Sequence, residues 1–149
     1  MYNHILISTD GSELAGRGVD HGLALARALG SRVTFLVVTE RFPIFAGAAG
    51  EAWTAAAAEL ETYETRQREL ADQLLTAAKG EAERCGVPAS TEHVPDSMPA
   101  PAIVETATRL GCELIVMSSH GRQGLQRLIL GSQTSEVLAS STIPVLVVR

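Results

Sequence analysis

Two short segments carry residues whose types suit ligand chemistry. One is Ser8-Thr9-Asp10, which follows the apolar run His4-Ile5-Leu6-Ile7. The other begins at Met117-Ser118-Ser119-His120-Gly121 and resumes at Gly131-Ser132-Gln133-Thr134. Glycine at 121 and 131 lets a backbone approach an anion with no Cβ in the way. A helix opening after Gly131 puts the amides of Ser132, Gln133 and Thr134 in its first turn. There, N–H groups lack intrahelical acceptors and face the positive end of the helix dipole, which suits phosphate. The hydroxyls of Ser132 and Thr134 add donors, and Arg122 and Arg127 add positive charge nearby. Taken alone, Gly131-Ser132 reads more readily as only a turn and an N-cap than as a phosphate cradle.

Other reactive side chains have plainer readings. Asp10 suits a helix cap or a ligand hydrogen bond better than a general base. His120 has no nucleophile or carboxylate partner near it in sequence and reads as structural or solvent-facing. His4, His21 and His93 are scattered, with no metal-ligand spacing. Trp53 and Tyr63 read as packing residues. Cys85 and Cys112 form no CxxC motif and read as buried, inert thiols. The chain has neither a GxxxxGK[ST] loop nor a GxSxG elbow, and neither a His-Ile-Gly-His nor a Ser-Gly-Gly-type activating loop.

The elements that must position these residues follow from local pattern. The run from His4 to Ser8 reads as a buried strand. Asp10 or Ser12 caps the helix after it, with Leu14, Gly18, Val19, Gly22, Leu23, Ala26 and Leu29 at helical spacing and Gly30 as its end. A second strand covers Arg32–Val38, rich in β-branched residues. A loop of small residues and two aromatics runs from Arg41 to Gly50. From about Ala52 to Arg84 the chain predicts one long helix, with Leu60, Tyr63, Gln67, Leu70, Leu74, Ala78 and Cys85 on one face, stopped by Gly86-Val87-Pro88. Ser90–Val94 is a weak strand. Prolines then precede a helix marked by Ile103, Val104, Ala107 and Leu110. A fourth strand at Glu113–Met117, a helix at about Gln133–Ala139 and a last strand at Ile143–Val148 complete the chain. Strict βα alternation with run-like strands predicts an α/β domain whose parallel sheet is covered on both faces. In such sheets ligands bind beyond the carboxyl ends of the strands, where both candidate segments lie.

The spacing Ser118-x2-Gly121-x9-Gly131-Ser132 closely resembles the nucleotide loop of the universal stress protein family, Gly-x2-Gly-x9-Gly-Ser/Thr. The resemblance extends through Leu114–Arg122, through Gly131–Arg149 and through the opening Ile5-Leu6-Ile7-Ser8-Thr9-Asp10-Gly11-Ser12, and so spans essentially the whole chain. It implies one domain over residues 1–149, a Rossmann-like fold of the adenine-nucleotide alpha hydrolase type, with five parallel strands in the order 3-2-1-4-5. It also implies ATP or AMP as ligand. Thr9 and Asp10 would line the adenine and ribose side, and Val38 would contact the adenine. Met117 and Ser118 would lie near the ribose. Gly121, Gly131, Ser132, Gln133 and Thr134 would hold the phosphates, with Mg2+ bound through them. Ser118 stands where the family pattern has its first glycine, bringing a Cβ and a hydroxyl to the ribose side.

Composition bounds the function. The 149 residues are 46% hydrophobic and 19% charged, with a formal net charge of −5. That length supports one core without a staple. The acidic balance speaks against nucleic acid as a partner. No apolar stretch approaches a transmembrane span, and the first residues lack the basic and apolar regions of a signal peptide, so a cytoplasmic protein is expected, with no membrane partner. Nucleotide binding without catalytic apparatus points to a stress sensor or regulator. A nucleotide-independent dimeric interaction module and a slow ATPase are the alternatives. The family order makes the apolar strand at Ile143–Val148 an edge, which predicts a homodimer paired through it.

Overall fold

A computed structural model describes residues 1–42, 51–120 and 130–149, with side chains omitted for 51–53. The strands are β1 (His4–Ser8), β2 (Arg32–Val38), β3 (Ala89–Val94), β4 (Leu114–Ser118) and β5 (Val145–Val148). The helices are α1 (Glu13–Leu29), α2 (Glu51–Cys85), α3 (Pro99–Arg109) and α4 (Ser132–Ser140). All strand pairs are parallel and the order is β3-β2-β1-β4-β5, as the resemblance implies. Chain direction therefore reverses its build-out between β1 and β4, which are direct neighbours.

Side-chain alternation along each strand feeds two cores. Ile5, Ile7, Val33, Phe35, Leu114 and Val116 face α1 and α2. Leu6, Leu36, Ile115 and Met117 face α3 and α4. Burial on both faces is why β1 and β4 read as continuous apolar runs.

Local chemistry sets the helix ends. Ser12 is the N-cap of α1, its Oγ accepting from the Ala15 amide at 3.2 Å, while Asp10 Oδ1 accepts from the Ser12 amide at 2.9 Å. Gly30 ends α1 with a φ of 68°, the left-handed conformation glycine adopts without steric cost. Pro99 opens α3, where its missing N–H has no partner to lose.

The buried face of α2 differs from the expected one. Among its described residues the buried ones are Ala71, Leu75, Ala78 and Ala82, of which Ala78 was expected, while Leu60, Tyr63, Gln67, Leu70 and Leu74 are half-buried. Cys85 is exposed, so only Cys112 is the buried thiol expected of both. The reason is length. A helix of 35 residues spans about 52 Å, against roughly 20 Å for the six-residue β3. Only the C-terminal half of α2 overlies the sheet, and alanines let it sit close.

Candidate functional site

The β1–β4 pairing brings the two candidate segments together. The register pairs Ile5 with Leu114, Leu6 with Ile115 and Ile7 with Val116. Continued by two residues, it sets Thr9 level with Ser118. The sheet's carboxyl edge thus collects Thr9 and Asp10 from β1 and Ser118, Ser119 and His120 from β4.

At the β1 end, Thr9 is buried and its amide donates to the Leu36 carbonyl at 3.0 Å. Its Oγ1 accepts from the Gly11 amide at 3.3 Å. Asp10, half-buried, is aimed by the Ser12 amide. Helix α1 packs tightly beneath this edge. A Cβ at Gly18 would lie 3.7 Å from the Ser118 amide nitrogen, and one at Gly22 would lie 2.4 Å from Ile7 Cδ1.

At the β4 end, Ser119 is a hub that sequence reasoning missed. Its amide donates to the Val148 carbonyl at 2.8 Å, which fixes it to β5. Its carbonyl accepts the Gly131 amide at 2.9 Å and the Thr134 hydroxyl at 3.1 Å. Its own hydroxyl meets His120 Nδ1 at 3.1 Å. No sequence signal marks a backbone carbonyl as a hub, because a serine doublet after a strand reads only as a turn.

Several predicted side chains work inward. The Thr134 side chain is buried, and its hydroxyl is shared between the carbonyls of Ser118 and Ser119, both at 3.1 Å, so it is not the free phosphate donor expected. Gln133 turns its Oε1 to the Ala100 amide at 2.9 Å, tying α4 to the first turn of α3. Met117 is buried in the core under α3 and α4, and half-buried Val38 packs against the same cluster. The Ser118 hydroxyl donates to the His120 carbonyl at 2.8 Å instead of standing open to a ribose. Gly131 has a structural reason independent of any anion, since a Cβ there would lie 2.9 Å from the Ser119 carbonyl oxygen. Gly121, Arg122 and Arg127 lie outside the described residues.

What faces outward is the opening of α4. Gly131 is its N-cap in extended conformation with no side-chain cap hydrogen bond, and Ser132 is exposed. The amides of a helix's first turn have no intrahelical acceptors, so this end suits an anion. Among the described residues no group of three or more His, Cys, Asp or Glu side chains could hold a metal ion. Burial pushes the Cys112 thiol up to about 11, which keeps it protonated. Among the described residues no helix is long and apolar enough to cross a membrane.

The chain was compared with known proteins. The model of the universal stress protein family matches residues 1–149. Universal stress protein MJ0531 of Methanocaldococcus jannaschii is 32% identical over 149 residues, which is 100% of this chain and 83% of that protein. A universal stress protein of Thermus aquaticus, from the QAH/OAS sulfhydrylase 3' region, is also 32% identical and covers 100% of both chains. The solved structure of MJ0577 superposes with a TM-score of 0.81 at 29% identity, covering 99% of this chain and 96% of that one. With its five-stranded order and its β4–α4 junction, this chain belongs to the universal stress protein family.

Proposed function

We propose that this protein is an adenine-nucleotide-binding sensor or regulator, taking ATP or AMP at the carboxyl ends of β1 and β4. The observation that carries the reading is the opening of α4, a helix end without a side-chain cap, held beside the β1–β4 switch point. Two solved universal stress proteins of this fold are complexes with cAMP and with dAMP. A bound nucleotide supplies a chain of phosphate charge to that helix end. The amides of Ser132, Gln133 and Thr134 receive it, together with the Ser132 hydroxyl, with Gly121 and Gly131 admitting the backbone. Thr9 and Asp10 take the ribose and adenine side, with Val38 beneath the base and the backbone of Met117 and Ser118 near the sugar. Mg2+ is carried by the phosphates. The protein acts in the cytoplasm as a homodimer, through conformation or partners rather than turnover.

Calorimetric titration with ATP tests this. Wild type binds, and Ser132→Ala loses affinity by about 1 kcal/mol, the worth of one hydrogen bond. Adenine nucleotide is also expected among small molecules released from the purified, denatured protein. No heat with ATP or AMP, and no released nucleotide, would leave the interaction module as the function.

A further inference from the structure

The junction between β4 and α4 is closed by its own hydrogen bonds. The Gly131 amide donates to the Ser119 carbonyl, and the Thr134 hydroxyl is shared by the carbonyls of Ser118 and Ser119. The Ser118 hydroxyl donates to the His120 carbonyl. Ser119 and Thr134 are 4% and 2% exposed, so this stem is dry. A hydroxyl has one hydrogen to donate. Those of Thr134 and Ser118 already point at backbone carbonyls, which leaves neither as a donor to a phosphate. The lone pairs they retain would repel one.

We infer that Thr134 and Ser118 are positioning residues. They set nucleotide affinity without touching the ligand: Thr134 holds the first turn of α4 in register with the end of β4, and Ser118 fixes the turn that follows β4. This rests on the nucleotide reading above. Its physical basis is preorganisation: donors fixed in place before binding lose less freedom when the ligand arrives. Ser118 thereby has a role that the glycine of the family pattern cannot fill.

The test has one arm that needs no nucleotide. Amide hydrogen exchange on the ligand-free protein reads the stem at Gly131. Thr134→Val should speed that exchange at least roughly fivefold, the factor one hydrogen bond carries, and Thr134→Ser should restore it. Ser118→Ala, which keeps the Cβ, should speed exchange at Gly131 less, since its hydroxyl secures only the turn. The second arm titrates the same variants with ATP. Thr134→Val should weaken binding about fivefold or more, and Thr134→Ser should bind like wild type. Unchanged exchange in Thr134→Val would overturn the stem. Faster exchange with unchanged affinity would overturn its positioning role. Wild type that binds no ATP, while Thr134→Val still exchanges faster at Gly131, would overturn the nucleotide reading and leave Thr134 a purely structural residue.

Discussion

Gly131 illustrates how one residue answers to two demands. Its amide must reach the Ser119 carbonyl, and its α-carbon must pass close to that same oxygen. Gly131→Val should therefore cost about 1–3 kcal/mol in urea denaturation, as overpacked sites do, and should also weaken ATP binding. Full stability in that variant would show that the junction opens freely. The histidines make a separate prediction. His4 is buried, with Nε2 on Thr34 Oγ1 at 2.8 Å and Nδ1 without a partner. Burial lowers its pKa below 6.5, as does the nearby Arg32, while the Leu110 backbone and Glu113 oppose the shift. Burial also lowers His93, which meets Thr39 Oγ1 at 2.9 Å, with Asp72 opposing and Arg68 assisting. Both imidazoles are thus held neutral in the fold. The unfolded chain takes up protons that the folded one refuses, so stability is full above 6.5 and falls as pH drops through that value. Urea unfolding at about pH 7.5 and about pH 5.5 should show this loss, and replacing both by Gln should flatten it. An equal slope in the double variant would assign the pH dependence to other groups.

At the scale of elements, α1 is placed by what it lacks. Ala15, Gly18, Gly22 and Ala26 form a buried stripe of small residues that lets the helix lie against β1 and β4. The two glycines are not equivalent. A Cβ at Gly18 meets nothing closer than 3.7 Å, whereas one at Gly22 would strike Ile7 at 2.4 Å. Gly18→Ala should gain up to about 1 kcal/mol from helix propensity. Gly22→Ala gains the same propensity but must displace a packed isoleucine, which costs about 1–3 kcal/mol, so the net effect should be destabilising. Thermal melts of the two variants check this; a Gly22→Ala melt above that of wild type would mean the core gives way easily there. Helix α2 follows a different logic, because its length exceeds the sheet it covers.

For the whole molecule, the strand order leaves β5 at an edge. Its Leu146 is 38% exposed, and an exposed apolar edge needs cover or a partner. Val145 packs against the core under α3 and α4, so a lysine there would disturb packing as well as pairing. Leu146→Lys is the cleaner probe of the proposed homodimer. It should shift the protein toward monomer with little loss of stability, read by light scattering during size-exclusion chromatography. A wild type that is monomeric throughout would remove the proposed dimer and leave the proposed nucleotide site, whose residues all come from one chain, untouched. Pro144, which cannot donate a hydrogen bond, limits pairing at the start of the strand.

The sequence alone determined most of what is local. Apolar runs bounded by turn residues located β1 and β2 to the residue, Gly30 marked the end of α1, and its start was narrowed to Asp10 or Ser12, of which the structure selects Ser12. The strand order came from the family resemblance, since periodicity is silent on which strands neighbour each other. The placement of the two candidate segments was legible too: Gly131, Ser132, Thr9 and Asp10 stand at the carboxyl edge of the sheet. Only the tertiary structure decided which way their neighbours turn. Thr134 and Gln133 look like ligand groups in sequence, yet one binds carbonyls of β4 and the other an amide of α3. The buried stripe of α2 was likewise set by where the sheet ends. Propensity, capping and period act over a few residues and are written in order along the chain. The direction of a hydroxyl depends on which distant carbonyl the fold brings within 3 Å or so, and no local rule encodes that.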